Sequence, residues 1–424
     1  MFERFKLTNG VRTVLVPHAD TKAITLLSLF RVGSRFERAS TLGLSHFLEH
    51  MMFKGTRKHP ETVEISRILD SLGAEYNAFT GKDHTGYYIK VNYEHAALAL
   101  DIMFDMLAHS LLKPEEIERE RKVIQEEINM YEDNPIMLVE ELFEEELFRG
   151  NSLGWRIAGQ AATLARIKRK ELTDFRRKFY RPSEIVVVAA GRLPTIIQKN
   201  IARTFGSLRP QRGRPTQPRS FRVLGRHRAG PRVVVKFKDT GQVQVALGFP
   251  ALALSHPRLP TLQVLSTILG GTMSSRLFIA VRERRGLAYS IRSSISGYED
   301  TGNLMIQAGL DKARLDEALR VMMAELRRMR ERGVTKEELA SAKENIRGRM
   351  TLALEDSEMT ADFYGKQELH LGKIATPDEK LAKILAVTKE EVAAVAAAIC
   401  QPSLLAAAVI GPFEDAGRFV KLLQ

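Results

Sequence analysis

The chain has 424 residues, 44% apolar and 27% charged, with a single cysteine and a formal net charge of +13. That length exceeds one ordinary hydrophobic core and implies more than one packed unit. The composition excludes a disordered chain, the lone Cys400 excludes an internal disulfide framework, and no apolar run reaches membrane-spanning length. The opening residues, Met1-Phe2-Glu3-Arg4-Phe5-Lys6, lack the apolar centre of a secretory signal, so a cytoplasmic location is expected.

Residues 13–16 and 24–30 alternate as strands. A helix follows over 42–53, where Leu44, Phe47, Leu48 and Met51 form an apolar stripe. It contains His46-Phe47-Leu48-Glu49-His50. Residues four apart share a helix face, so His46 and His50 can offer two imidazoles to one metal ion, with Glu49 on the same side as a general base. Two histidines plus a carboxylate suit Zn2+. A hairpin is expected next, with strands at 76–80 and 85–91 around Gly81-Lys82.

The helix over 114–132 offers a candidate for a third ligand. Its apolar stripe runs through Ile117, Ile124, Ile128 and Tyr131, and Glu120 and Glu127 fall inside it. A buried carboxylate without a partner is costly, so these two are expected to meet a cation or a donor. Glu127 would ligate the metal and Glu120, two turns earlier, would orient a ligand from behind. The same glutamate-rich helix also reads as a charged face solvated all round.

The positive charge has one location. Residues 185–238 carry 13 Lys or Arg and no Asp or Glu, and the remaining 51 basic residues match 51 acidic ones. Within that stretch, 206–230 holds Pro210, Pro215 and Pro218 among arginines, the composition of a solvated tether. It divides the chain into similar halves. Leu172, Phe175, Phe179, Pro182 and a run closing on Gly191 match Val392, Val395, Ile399, Pro402 and a run closing on Gly411, all offset by 220. Residues 233–237 and 243–249 repeat the opening strands. The expected fold is α+β, two homologous domains, each a mainly antiparallel sheet with helices packed on one face. Their bounds are 1–206 and 232–424, with a basic linker at 207–231.

Gly43-Leu44-Ser45-His46 through Lys54-Gly55-Thr56, with Val123-Ile124-Gln125-Glu126-Glu127 further on, strongly resembles the inverzincin peptidases of the pitrilysin-like M16 family. The chain is most similar to its shorter bacterial members and to the mitochondrial processing peptidase subunits, over essentially its whole length. The resemblance implies one Zn2+ per chain on His46, His50 and Glu127, with Glu120 as the accompanying acid and Glu49 as the base. Glu75-Tyr76-Asn77-Ala78-Phe79-Thr80 resembles the family's edge strand, on which a peptide is held as an added strand, so Asn77, Ala78, Phe79 and Thr80 become substrate-binding residues. The stretch from Arg282 to Tyr289 resembles the segment over the substrate. It implies that Tyr289 donates to the developing oxyanion and that Arg282 fixes the substrate backbone or supports the tyrosine.

Aligning Gly55-Thr56 with Gly271-Thr272 puts Leu262, Leu265 and Ser266 where His46, Glu49 and His50 stand, so the second domain is expected to be metal-free. Four-domain relatives form a clamshell, and the resemblance therefore implies a dimer, with an identical chain or a paralogue, in which Arg282 and Tyr289 act on the partner's zinc. The expected activity is a zinc endopeptidase acting on short or unfolded peptides in an enclosed chamber. Two alternatives stand beside it. One is a non-catalytic scaffold subunit, weakened by the complete ligand set. The other is nucleic-acid binding through the tether, where only Phe205 and Phe221 offer stacking surface; no nucleic-acid partner is expected.

Overall fold

Runs of Val, Ile, Leu and Ala assemble into two sheets in a computed structural model that describes residues 2–211, 213, 217–221 and 230–424. The first contains β1 (Glu3–Lys6), β2 (Arg12–Pro17), β3 (Ala23–Phe30), β4 (Glu75–Thr80), β5 (Thr85–Asn92) and β6 (Ile185–Gly191), in the order β1-β2-β6-β3-β5-β4. The second contains β7 (Arg232–Phe237), β8 (Gln242–Ala251), β9 (Ala288–Gly297), β10 (Gly302–Asp311) and β11 (Ala406–Gly411), in the order β7-β11-β8-β10-β9. From β2 onward the two orders are the same. Each sheet has one parallel pair, β2 with β6 and β7 with β11, and is otherwise antiparallel. The duplicated α+β plan expected from the 220-residue offset is present. The hairpin β9–β10, the counterpart of β4–β5, was not among the expected elements.

The chain forms two compact units, and they are not the contiguous halves expected at 1–206 and 232–424. One unit comprises Met1–Asn129, Trp155–Pro218 and Thr351–Ile374; the other comprises Met130–Gly154, Arg219–Met350 and Ala375–Gln424. Of these boundaries, only that after Pro218 falls within the expected linker, whose residues 212, 214–216 and 222–229 lie outside the described residues.

The physical reason for the exchange is the second face of each sheet. In the first unit one face packs on α1 (Leu44–Met51), on α2 (Pro114–Asp133) and on the helix Ala96–His109, burying Phe47, Leu48, Ile117 and Ile124. The other face carries Val14, Val16, Leu27, Leu29, Val186 and Val188, too apolar to leave in water. In the second unit the uncovered face carries Ala246, Ala406, Ala408 and Ile410. Two helices cover these faces, α3 (Pro135–Leu147) and α4 (Ser357–Leu371). Each comes from the opposite half of the sequence. In the second unit α3 contributes Leu138, Val139, Leu142 and Phe143. In the first unit α4 contributes Ala361, Tyr364 and Leu369.

Close packing of α4 leaves little room at Gly365. A Cβ on Gly365 would stand 2.8 Å from Leu29 Cδ1 and 3.0 Å from Val188 Cγ2. Polar ties hold the ends of α4: Arg4 donates to the buried Glu368 carboxylate at 3.0 Å, and Lys90 Nζ donates to Asp356 at 2.7 Å. Helices on one face of each sheet are therefore joined by one helix on the other. No helix among the described residues is long and apolar enough to cross a membrane.

Candidate metal centre

The metal-ligating motif lies on α1, whose apolar residues Leu44, Phe47, Leu48 and Met51 are buried in the core of the first unit. That leaves His46, Glu49 and His50 on the remaining face. The helix start is fixed by close backbone packing and by a carboxylate. Gly43 has φ +90°, and a Cβ there would stand 2.5 Å from Ala158 O, so only glycine fits. Glu37 receives the N–H groups of Gly43 at 2.8 Å and of Ser45 at 2.6 Å, satisfying orphan donors of the first turn. Replacing Glu37 with Ala should cost about 1–2 kcal/mol of stability, and because α1 carries two candidate ligands it should also weaken metal retention. Thermal unfolding and metal content of the variant would check this; a variant as stable as the parent would show the cap to be dispensable.

Three side chains from α1 and α2 converge. His46 Nε2 lies 3.2 Å from His50 Nε2, and Glu127 Oε2 lies 3.6 Å from each. Together these residues could hold a metal ion. The protonation states sharpen the point. Glu120 Oε1 lies 2.8 Å from His50 Nδ1. His50 and Lys54, whose Nζ is 2.7 Å from Oε2, outweigh burial and keep the Glu120 carboxyl low, hence ionised and acceptor-only. Nδ1 therefore carries a proton, and Nε2 of His50, the ring atom left for a metal, faces His46; with His50 raised by its carboxylate neighbours, that atom gives up its own proton when an ion binds.

Burial, and then His50, pull the His46 imidazole down to about 3, so that ring is neutral. Its Nδ1 is buried without a hydrogen-bond partner among the described residues. Two imidazole Nε2 atoms and a carboxylate oxygen thus point at one place. Ligands about 2.1 Å from a tetrahedral ion stand roughly 3.4 Å apart, the spacing found here. The donor set fits zinc.

The crowding of carboxyls favours a cation too. Burial raises the carboxyls of Glu49 and Glu127, and it opposes charge on His50, although the hydrogen bond to Glu120 and the three nearby carboxylates raise His50 overall. Among the described residues, Lys54 and the raised His50 face the three carboxyls of Glu49, Glu120 and Glu127. Glu120 is 4% exposed and sits behind His50 rather than among the three converging atoms. Exchanging it for Gln should lower zinc affinity about 10- to 100-fold. Titration against a competing chelator reads this out, and unchanged affinity would remove Glu120 from the centre.

The sequence expectations for β4 divide. β4 is the outer strand of its sheet, as an added peptide strand would need. Ala78 N–H is taken by Asn77 Oδ1 at 2.8 Å. The Phe79 ring sits beneath Lys366 Nζ of α4 at 5.4 Å, and Thr80 turns to Glu49. Sequence reasoning missed the roles of Glu37, Lys54 and the Thr80 hydroxyl. Lys54 had a signal, its place beside Gly55-Thr56; Glu37 had none.

With this geometry in place, comparison with known proteins decides the family. Residues 13–161 match the model of insulinase (peptidase family M16), and residues 166–346 match that of the peptidase M16 inactive domain. The chain is 37% identical to the uncharacterized zinc protease YmxG of Bacillus subtilis over 92% of this chain and 94% of that one. It is 38% identical to an uncharacterized zinc protease of Streptomyces coelicolor over 97% and 90%. This chain belongs to peptidase family M16. It is of the shorter, two-domain bacterial type, and metallopeptidase is the activity that its relatives' names support. A protease from Helicobacter pylori shares the fold with a TM-score of 0.90 at 24% identity, covering 97% of this M16 chain and 99% of that one.

In the second unit, the helix that the alignment sets against α1 carries no His or Glu. That helix, Leu259–Gly270, buries Leu262 and Leu265, and Ser266 faces Ser293 at 3.1 Å. The same unit holds Arg282 and Tyr289 together. Arg282 lies in the last turn of a π-helical segment, Phe278–Glu283, with its guanidinium over the rings of Phe278 at 4.8 Å and Tyr289 at 5.9 Å. Tyr289 is 73% exposed near the start of the edge strand β9.

Proposed function

We propose that this chain is a zinc endopeptidase that cleaves short or unfolded peptides, one Zn2+ being held by His46, His50 and Glu127. The observation that carries the reading is the meeting of two imidazole Nε2 atoms and a carboxylate oxygen beside the restrained carboxylate of Glu49. Zinc bound there supplies Lewis-acid chemistry, polarising a carbonyl and bringing a water's pKa to about 7. Glu49 then takes the proton of the attacking water and returns it to the leaving amine. Glu120 fixes the tautomer of His50. Tyr289, supported by Arg282, donates to the carbonyl oxygen as charge develops on it.

The peptide adds as a strand along the outer edge of β4, over Asn77, Ala78 and Phe79. Main-chain pairing of this kind accepts many sequences. Four-domain relatives enclose their substrate in a clamshell, and this two-domain chain reaches the same number of domains as a dimer, with Tyr289 serving the partner's centre. Metal analysis with cleavage of an unfolded peptide tests the proposal. One zinc per chain and chelator-sensitive cleavage at internal bonds support it; cleavage persisting in the metal-free protein sinks it.

A further inference from the structure

The Glu49 carboxylate has one hydrogen-bond partner among the described residues. Thr80 Oγ1 donates to Glu49 Oε2 at 2.7 Å. Thr80 closes β4, where it pairs with Thr85 across the hairpin. That end of the strand is held from several sides. Thr85 Oγ1 donates to Val32 O at 2.8 Å, Gly81 N donates to His84 O at 2.8 Å, and Ser34 N donates to Gly81 O at 3.1 Å. Gly33 approaches so closely that a Cβ there would stand 2.2 Å from Gly81 O, so the two loops interlock without slack. Backbone this constrained aims the hydroxyl within a narrow range.

A threonine hydroxyl has a single proton to give. Given to Oε2, it fixes the plane of the carboxylate and leaves Oε1 as the oxygen open to a reacting water. The direction of the side chain also matters for substrate. Turned inward to Glu49, the Thr80 hydroxyl is committed to the base, whereas the strand's main chain serves the peptide. We infer that Thr80 is a positioning residue for Glu49: its hydroxyl holds one carboxylate oxygen so that the other meets the attacking water, and the side chain does not itself bind substrate. The inference rests on the peptidase reading above and adds a residue whose side chain works through the base.

Thr80→Val keeps the shape and removes the donor; Thr80→Ser keeps the donor. In the zinc-loaded full chain, with a fluorogenic unfolded peptide, Thr80→Val should lower kcat about 10- to 100-fold through misalignment of the base. KM, zinc content and unfolding temperature should stay at parental values, and Thr80→Ser should recover most of the loss. In a Glu49→Gln background, Thr80→Val should cost nothing further. Should the valine variant fold poorly, Thr80→Ala adds no bulk and is read by the same criteria. A rise in KM with kcat retained would overturn the inference in favour of peptide binding, and equal losses for Ser and Val would overturn it in favour of packing. A zinc-loaded parent that cleaves nothing would overturn the peptidase reading itself, and this role with it.

Discussion

Glu49→Gln should leave the protein folded and zinc-loaded while lowering kcat by about 10²- to 10⁴-fold. Glutamine matches the shape of the carboxylate, and its amide oxygen can still accept from Thr80, so the side chain keeps its place. What it loses is the capacity to hold a proton. In the parent, burial raises the Glu49 carboxyl, partly offset by the Thr80 hydrogen bond and by His50. A base raised toward neutrality takes a proton from water more readily than an ordinary carboxylate does. Zinc analysis alongside single-turnover cleavage checks the prediction, and undiminished cleavage would remove Glu49 from the reaction. The same variant tests the dimer. If Tyr289 serves the partner's centre, mixing Glu49→Gln chains with Tyr289→Phe chains rebuilds one intact site per mixed dimer and restores cleavage. No recovery, with subunit exchange verified, places both residues in one chain's site.

What the sequence made legible was whatever is local or periodic. The pairing of His46 with His50 follows from four-residue spacing, and the intrusion of Glu120 and Glu127 into an apolar stripe follows from the 3.6-residue period. The strands β2, β3, β6, β7, β8 and β11 announced themselves as apolar runs. β9 did not, because Ser290, Arg292, Ser293, Ser294 and Ser296 dilute its pattern. The exchanged helices α3 and α4 could not be read, since each satisfies a sheet far away in the chain. α3 looks like an acidic surface helix until the apolar face of the second sheet is known to need it. The site had the same blind spot. Thr80 reaches Glu49 only because β4 packs against α1, and Glu37 caps α1 from a non-helical segment six residues upstream of Gly43. Neither relation has a period or a spacing. Arg282 and Tyr289 were found through resemblance alone, and their mutual stacking was not visible beforehand.

Glu127→Gln should lower zinc affinity by more than the roughly 100-fold upper range for residues that only orient a ligand. At a fixed buffered zinc level, the metal content should fall from one per chain toward none. Stability should move in a less obvious way. Without metal, Glu127 adds a third carboxylate to Glu49 and Glu120, and burial together with Glu120 raises its carboxyl while His50 opposes. The amide relieves that crowding, so the metal-free variant should be no less stable than the metal-free parent. The parent gains stability with added zinc, about 2.7 kcal/mol at 100 times its Kd, because the folded state alone presents the assembled ligands. The variant should forfeit that gain. The signature is therefore two melting curves that coincide, or cross in the variant's favour, without zinc and separate once zinc is added. A loss of stability already present without metal would make Glu127 a structural residue. Zinc uptake as tight as the parent's would move the third ligand elsewhere, with Glu49 the remaining carboxylate on the face of α1 that carries His46 and His50.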